Sequence, residues 1–269
     1  MSKISELKKI NVNTFKLMKV EGEKIATLTA YDYTSAKILD EAGVELILVG
    51  DSLGSVMNGY ENSIPVTLDE IIYHCKSVKR AAKRAFLVAD MPFGSYQVSD
   101  EKAIENCIRV IKETGFEAVK IEGGKNRAAL IRKLTDAGIL VMGHIGLMPQ
   151  MVNVMGGYKI QGRTGHEELL SDALALEEAG AFSIVLEGVV ASAARIISKN
   201  LTIPTIGIGA GAGCDGQILV YHDVFGLFDD YTPKFVKKYA DLKTVVNEAC
   251  SKYIDDVKTV NFPEDKHTF

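Results

Sequence analysis

Phe86-Leu-Val-Ala-Asp90, Ala118-Val-Lys-Ile-Glu122 and Ser183-Ile-Val-Leu-Glu187 are three short apolar runs, each closed by an acidic residue. Runs of this length, rich in Val, Ile and Leu, read as strands of a parallel sheet. Working outward, residues 25–30, 45–50, 140–144, 205–208 and 217–220 read the same way, giving eight strands. Amphipathic stretches separate most of them, at about 34–41, 68–82, 100–114, 126–137, 167–179 and 191–199. Strand and helix in regular alternation predict crossover helices returning each chain segment to a parallel sheet. Four of the helical stretches stop at a glycine, Gly43, Gly115, Gly138 or Gly180, which supplies the left-handed residue that ends a helix. Eight such units in about 250 residues fit an α/β fold of the (β/α)8 TIM-barrel type, where a doubly wound sheet would use five or six strands. The seventh unit is irregular, because residues 209–216 leave no room for a helix. No linker rich in Pro or Ser divides the chain. The expectation is therefore a single domain over 1–269, with an N-terminal extension 1–22 and a C-terminal helical region at about 233–262, its helix running from Phe235 to Val260.

Bulk composition narrows the function. The 269 residues are 47% hydrophobic and carry a formal charge of -4, with both signs interleaved, so no cationic face is offered to nucleic acid. Small-molecule chemistry is the expectation. Cys75, Cys107, Cys214 and Cys250 are widely spaced with no C-x-x-C pair, and read as reduced thiols. Residues 1–13 lack the apolar region of a secretory signal and no run approaches bilayer length, so neither membrane nor export is indicated and a cytoplasmic enzyme is expected.

The acidic residues carry the chemistry. Asp51, Asp90, Glu122 and Glu187 all stand at the C-terminal ends of strands. In a barrel those ends converge on one mouth, where active sites are built. Carboxylates gathered there either rise in pKa or take a cation, and a hard divalent ion such as Mg2+ suits oxygen ligands. Any one of the four alone reads equally well as a helix cap or surface residue; their recurrence at the same point of the unit favours a site.

Lys120 and Glu122 are two apart on one strand and share a face. Two readings are open: an internal ion pair, or a Lys120 that holds a substrate carboxylate or oxyanion. His144 ends the fifth strand and points to the same mouth, as a structural residue or as a hydrogen-bond donor to substrate or to a neighbouring carboxylate. His74 reads as a packed or surface residue of a helix. The run Gly207-Ile-Gly-Ala-Gly-Ala-Gly213 loosely matches a dinucleotide fingerprint, but a strand follows where the phosphate-binding helix should start. A loop allowing close approach of a ligand, or a tight packing corner, fits better.

Several blocks in order resemble one family. They are Val49-Gly-Asp-Ser-Leu-Gly54, Ile64-Pro-Val-Thr-Leu-Asp-Glu70, Ala89-Asp-Met-Pro-Phe93, Val119-Lys-Ile-Glu-Gly-Gly124, Gly143-His-Ile-Gly-Leu147, Gly156-Gly-Tyr-Lys159 with Gln161-Gly-Arg163, and residues 206–211 with Cys214-Asp-Gly-Gln217. Together they resemble ketopantoate hydroxymethyltransferases, over about residues 26–226. The resemblance implies a barrel of the phosphoenolpyruvate mutase and isocitrate lyase superfamily. It also implies transfer of a hydroxymethyl group from 5,10-methylenetetrahydrofolate to 3-methyl-2-oxobutanoate, giving 2-dehydropantoate, in a homodecamer. By that resemblance Asp51, Asp90 and Glu122 are metal positions, Asp51, Ser52, Asp90 and Lys120 contact the oxoacid, and Glu187 is the proton acceptor.

Those roles are chemically coherent. A 2-oxoacid can chelate Mg2+, and the ion then stabilises the enolate formed when the C3 proton leaves. The base must stand off the metal, and a partly desolvated Glu187 suits that task. Departures from the family pattern are Met148 and Met151, where small hydroxyl residues are expected, and Gly188 and Val190 after Glu187. They bear on the folate region, for which no residue is assigned. A related oxoacid lyase or mutase is the nearest alternative, and a non-catalytic metabolite-binding barrel a more distant one.

Overall fold

A computed structural model describes residues 8–229 and 232–269. Eight parallel strands close into one barrel in chain order. They are β1 Ile25–Thr29, β2 Leu46–Val49, β3 Phe86–Asp90, β4 Ala118–Glu122, β5 Leu140–Gly146, β6 Ser183–Glu187, β7 Thr205–Ile208 and β8 Gly216–Leu219. The register sets Asp90 beside Lys120 and Glu122 beside His144. Closure brings Ile25 against Gly216, where a Cβ would lie 2.5 Å from the Ile25 carbonyl oxygen, so the seam depends on glycine.

Strands β3, β4, β6 and β7 keep the limits read from their sequences, and β5 runs on to Gly146. Helices Tyr33–Ala42, Leu68–Ala81, Asp100–Thr114, Ala128–Asp136, His166–Glu178 and Ala191–Asn200 lie between the strands. Leu68–Ala81 shows why: Thr67 and Glu70 form a reciprocal capping box, and Ile71, Ile72, Cys75 and Val78 make one buried stripe. Gly43, Gly115, Gly138 and Gly180 all take positive φ, from 69° to 95°. No helix separates β7 from β8.

Period-two alternation turns every second strand residue inward, so each strand is a short column running from floor to mouth. Phe86, Val88 and Asp90 form one column, Ala118, Lys120 and Glu122 another, and Met142 and His144 a third. The lower members are apolar and join one core cluster with Ile25, Leu46, Val185, Ile206 and Ile218.

Two segments differ from the sequence reading. Within the N-terminal extension, whose residues 1–7 lie outside the described residues, Val12–Glu21 is a helix capped by Asn11. Its Phe15 meets Phe86 edge-on at 5.3 Å and Phe182 at 6.2 Å, and Ile10, Phe15 and Met18 complete the barrel core from below. The C-terminal helix is shorter than 235–260, spanning Leu242–Lys258 with Asp241 as its cap. The cause lies in the backbone: Tyr239, Leu242 and Lys243 donate to the carbonyls of Val224, Phe225 and Gly226, which ties the residues before the helix to the preceding turn.

The chain separates into two compact units, Met1–Val220 and Tyr221–Phe269; the first holds the whole barrel. All four cysteines are free, with Cys75, Cys107 and Cys214 buried. Among the described residues no helix is long and apolar enough to cross a membrane.

Candidate active site

At the mouth the columns end in charge. Asp51, Asp90, Lys120, Glu122 and His144 are buried and line one cavity of about 120 Å3 together with Ser52 and Glu187. Seven positions selected by sequence thus meet in one place. Lys120 Nζ bonds Asp90 Oδ1 at 2.6 Å and lies 3.8 Å from Glu122 Oε1, so its first partner is the carboxylate of the adjacent strand and not the one two residues on. The Asp51 amide donates to Asp90 Oδ2 at 3.2 Å. His144 stands between two carboxylates, with Nδ1 3.4 Å from Glu122 and Nε2 3.4 Å from Glu187. Ser52 Oγ is 2.8 Å from the Tyr31 hydroxyl, and His74 Nδ1 lies 2.6 Å from the Tyr31 carbonyl, so His74 is a packed residue one step behind the site.

The balance of charge is uneven. Burial, and then the Asp90 charge, push the Asp51 carboxyl well above the usual range. Burial also raises Asp90, against the pull of Lys120. For Glu122, burial acts upward but is outweighed by His144, Lys120 and the Gln150 amide, and the net shift is down. His144 is lifted to about 9: burial and Lys120 act downward, and the Glu122 and Glu187 carboxylates overcome both. Lys120 is likewise raised, its three carboxylate neighbours overriding burial. Lys120 and His144 therefore both hold protons at neutral pH, facing three buried carboxyls of which Asp51 and Asp90 are pushed up and Glu122 down.

Sequence reading passed over Gln150. It is buried, and its Nε2 donates to Asp51 Oδ2 at 2.9 Å and to the Met91 carbonyl at 2.9 Å. Its Oε1 accepts from the Tyr96 hydroxyl at 2.7 Å and its backbone amide donates to Glu122 Oε2 at 3.2 Å. One neutral residue in the 3-10 turn after β5 thereby fixes two of the carboxylates, Asp51 by its side chain and Glu122 by its backbone amide. The only signal in the sequence was its place, just beyond a strand that ends at the mouth.

Among the described residues no three His, Cys, Asp or Glu side chains already converge as a finished metal centre; Lys120 lies between Asp90 and Glu122. The donor set nevertheless fits a hard cation. It is all oxygen, burial and the crowding of its carboxyls push Asp51 and Asp90 both up, and Glu122 Oε1 has no hydrogen-bond partner.

The glycine run after β7 is a packing corner. A Cβ on Gly207 would lie 2.9 Å from Cys214 Sγ, and one on Gly211 2.7 Å from the Ala191 Cβ. Met148, one of the departures from the family pattern, lines a second cavity, while Gly188 and Val190 exchange backbone hydrogen bonds with Gln161.

Comparison with known proteins agrees with the barrel fold and identifies a family. Among solved structures, 2,3-dimethylmalate lyase, a member of the PEP mutase/isocitrate lyase superfamily, aligns over 96% of this chain and 91% of its own, with a TM-score of 0.60 and 16% identity. Phosphonopyruvate hydrolase, solved with oxalate and Mg2+, aligns over 96% and 93%, with a TM-score of 0.62 and 12% identity. At such identities the likeness concerns the fold. The sequence relatives go further: the 3-methyl-2-oxobutanoate hydroxymethyltransferase of Clostridium beijerinckii is 56% identical, covering 97% of this chain and 96% of its own. That of Trichlorobacter lovleyi is 54% identical, covering 97% and 99%. The family model described as ketopantoate hydroxymethyltransferase matches residues 9–265. By that match and those identities, the chain belongs to the ketopantoate hydroxymethyltransferase family.

Proposed function

We propose that the protein transfers a hydroxymethyl group from 5,10-methylenetetrahydrofolate to 3-methyl-2-oxobutanoate, with water supplying the hydroxyl oxygen and 2-dehydropantoate and tetrahydrofolate as products. The observation that carries the reading is the meeting of Lys120 with Asp51, Asp90, Glu122 and Glu187, drawn from strand ends across the barrel, in one small cavity. Asp51, Asp90 and Glu122 would hold Mg2+, which when bound draws electron density from the keto group and so acidifies the C3 proton.

The other steps belong to the chain. Lys120, kept charged by Asp90, and Ser52, steadied by Tyr31, orient the oxoacid carboxylate. Glu187 takes the C3 proton; its partner His144 is a cation anchored on Glu122, which holds the carboxylate in the orientation of an acceptor. The electron pair left at C3 then attacks the bridging carbon of the folate as one of its two carbon–nitrogen bonds breaks, and the freed nitrogen takes up the proton removed from C3. Water displaces the second nitrogen, leaving its oxygen as the hydroxyl and its proton on the released tetrahydrofolate. Membership of the family, the lack of a membrane-spanning helix among the described residues and the free thiols support a cytoplasmic enzyme. The exposed apolar residues along Leu242–Lys258 support assembly into a homo-oligomer, for which we propose the decamer.

Glu187→Gln tests the reading. Deuterium exchange at C3 of the oxoacid should fall at least about 100-fold, the contribution of a positioned base, while oxoacid binding measured by calorimetry persists. Exchange at the wild-type rate would transfer the role of base to another residue. A wild-type protein that cleaves a preformed acid and releases no tetrahydrofolate would instead be a lyase.

A further inference from the structure

The segment from Gly156 to Arg163 is exposed beside the proton acceptor, and neither the fold nor the oxoacid chemistry explains its composition. Gln161 pins it: its amide donates to the Gly188 carbonyl at 2.8 Å and its carbonyl accepts from Val190 at 3.0 Å, so it is fastened to the residues that follow Glu187. Gly157 and Gly162, with φ of 107° and 77°, let the chain fold back around that anchor. Tyr158 is 60% exposed and Ile160 54%, unusual for apolar side chains at the rim of a polar site. Lys159 and Arg163 flank them, both exposed and without an ion-pair partner among the described residues. Next to the segment a cavity of about 190 Å3 is lined by Met148, Met155, Gln161 and Thr164. The Tyr158 hydroxyl is shifted up by burial and then by the Glu187, Asp51 and Glu122 charges, which places it within electrostatic reach of the mouth.

We propose that this segment is the docking platform for the one-carbon carrier, a reduced folate, with the Tyr158 ring stacked on its flat heterocycle and Lys159 and Arg163 facing the carboxylates of its glutamate tail. The inference rests on the transferase reading. The geometry demands such a place: the carrier must bring its carbon to C3 of an oxoacid whose proton sits at Glu187, so its ring system must lie beside the end of β6. Sequential backbone bonds to Gly188 and Val190 hold the platform at that spot. An aromatic face with two free cations matches a ligand that is aromatic at one end and anionic at the other.

The test uses the full-length enzyme with Mg2+, titrated with tetrahydrofolate carrying one or several glutamates and assayed with methylenetetrahydrofolate. Tyr158→Ala should raise the Kd for tetrahydrofolate and the KM for the methylene form by about tenfold or more, the scale of a lost aromatic stack, and Tyr158→Phe should restore both to within about twofold. The double variant Lys159→Gln/Arg163→Gln should lose most of the preference for the longer tail and much of the salt dependence of binding. An unchanged KM for the carrier in Tyr158→Ala overturns the proposal. So does a parallel fall in C3 deuterium exchange, which needs no carrier and would assign the ring to the oxoacid step. Wild-type enzyme that neither binds tetrahydrofolate nor transfers the one-carbon unit would overturn the transferase reading itself, a result separate from any variant.

Discussion

Removing the amide of Gln150 would take a donor from Asp51 Oδ2 and from the Met91 carbonyl, and an acceptor from the Tyr96 hydroxyl, at once. A buried polar group left short of a partner costs about 1–3 kcal/mol. Gln150→Ala should therefore lower the melting temperature by several degrees and weaken Mg2+ binding, since Asp51 loses the contact that orients it; calorimetry reads both. Lys120→Met exposes a different weakness. It leaves buried Asp90 without its cation, a loss of about 3–5 kcal/mol, and oxoacid binding should vanish even where circular dichroism reports a folded barrel. The contrast between these two residues explains what sequence can disclose. Charged groups at strand ends announce themselves because charge inside an apolar run needs a reason. Gln150 is neutral and sits in a short 3-10 turn, and only its three-dimensional partners reveal its role.

At the scale of the element, strands were legible and the N-terminal helix was not. β3, β4, β6 and β7 are short, mainly apolar runs bounded by loops, broken by charge only at Lys120 and at the acidic ends of β3, β4 and β6, a pattern expected of buried parallel strands that end at a site. Val12–Glu21 owes its place to Phe15 and Met18, two residues among lysines and a glutamate, and its contacts are all remote in sequence. The Asn11 and Thr14 capping box was the available sign. Phe15→Ala should destabilise the barrel by about 3–5 kcal/mol, the cost of a cavity in a packed aromatic cluster, shown by a lower urea midpoint at unchanged m-value. An undiminished midpoint would mean that the helix merely covers the barrel. The C-terminal helix was over-extended in the sequence reading because helical periodicity does not register backbone bonds to a distant turn, and such bonds occupy Tyr239, Leu242 and Lys243.

For the whole molecule, ligand linkage gives a direct measurement. If Mg2+ binds the folded barrel alone, a concentration 100 times its Kd stabilises by about 2.7 kcal/mol, which for a chain of this size raises the melting temperature by roughly 5–10 °C and is reversed by chelation. No shift would remove the ion from the carboxylate site. Thiol chemistry reports on assembly. Burial pushes the Cys107 thiol up to about 12 and the Cys75 and Cys214 thiols also up, so none of these three should react in the native state. Cys250 is exposed, on the same stripe of Leu242–Lys258 as Val246, Tyr253, Ile254 and Val257. A thiol dye should therefore count one cysteine per dissociated chain, none once the stripe is covered by a second copy, and four after denaturation. Equal Cys250 reactivity in dilute and concentrated samples would exclude the stripe as the contact.

The Phe15 helix under the barrel has a kinetic corollary. Apolar side chains pack the barrel interior down to that helix, so the acidic cavity is reached from the mouth. If the keto acid binds in the cavity and the donor docks on the rim, as proposed, traffic should run last in, first out: the acid enters ahead of the bulky donor, and spent donor departs before the lengthened acid, an order that product-inhibition patterns check.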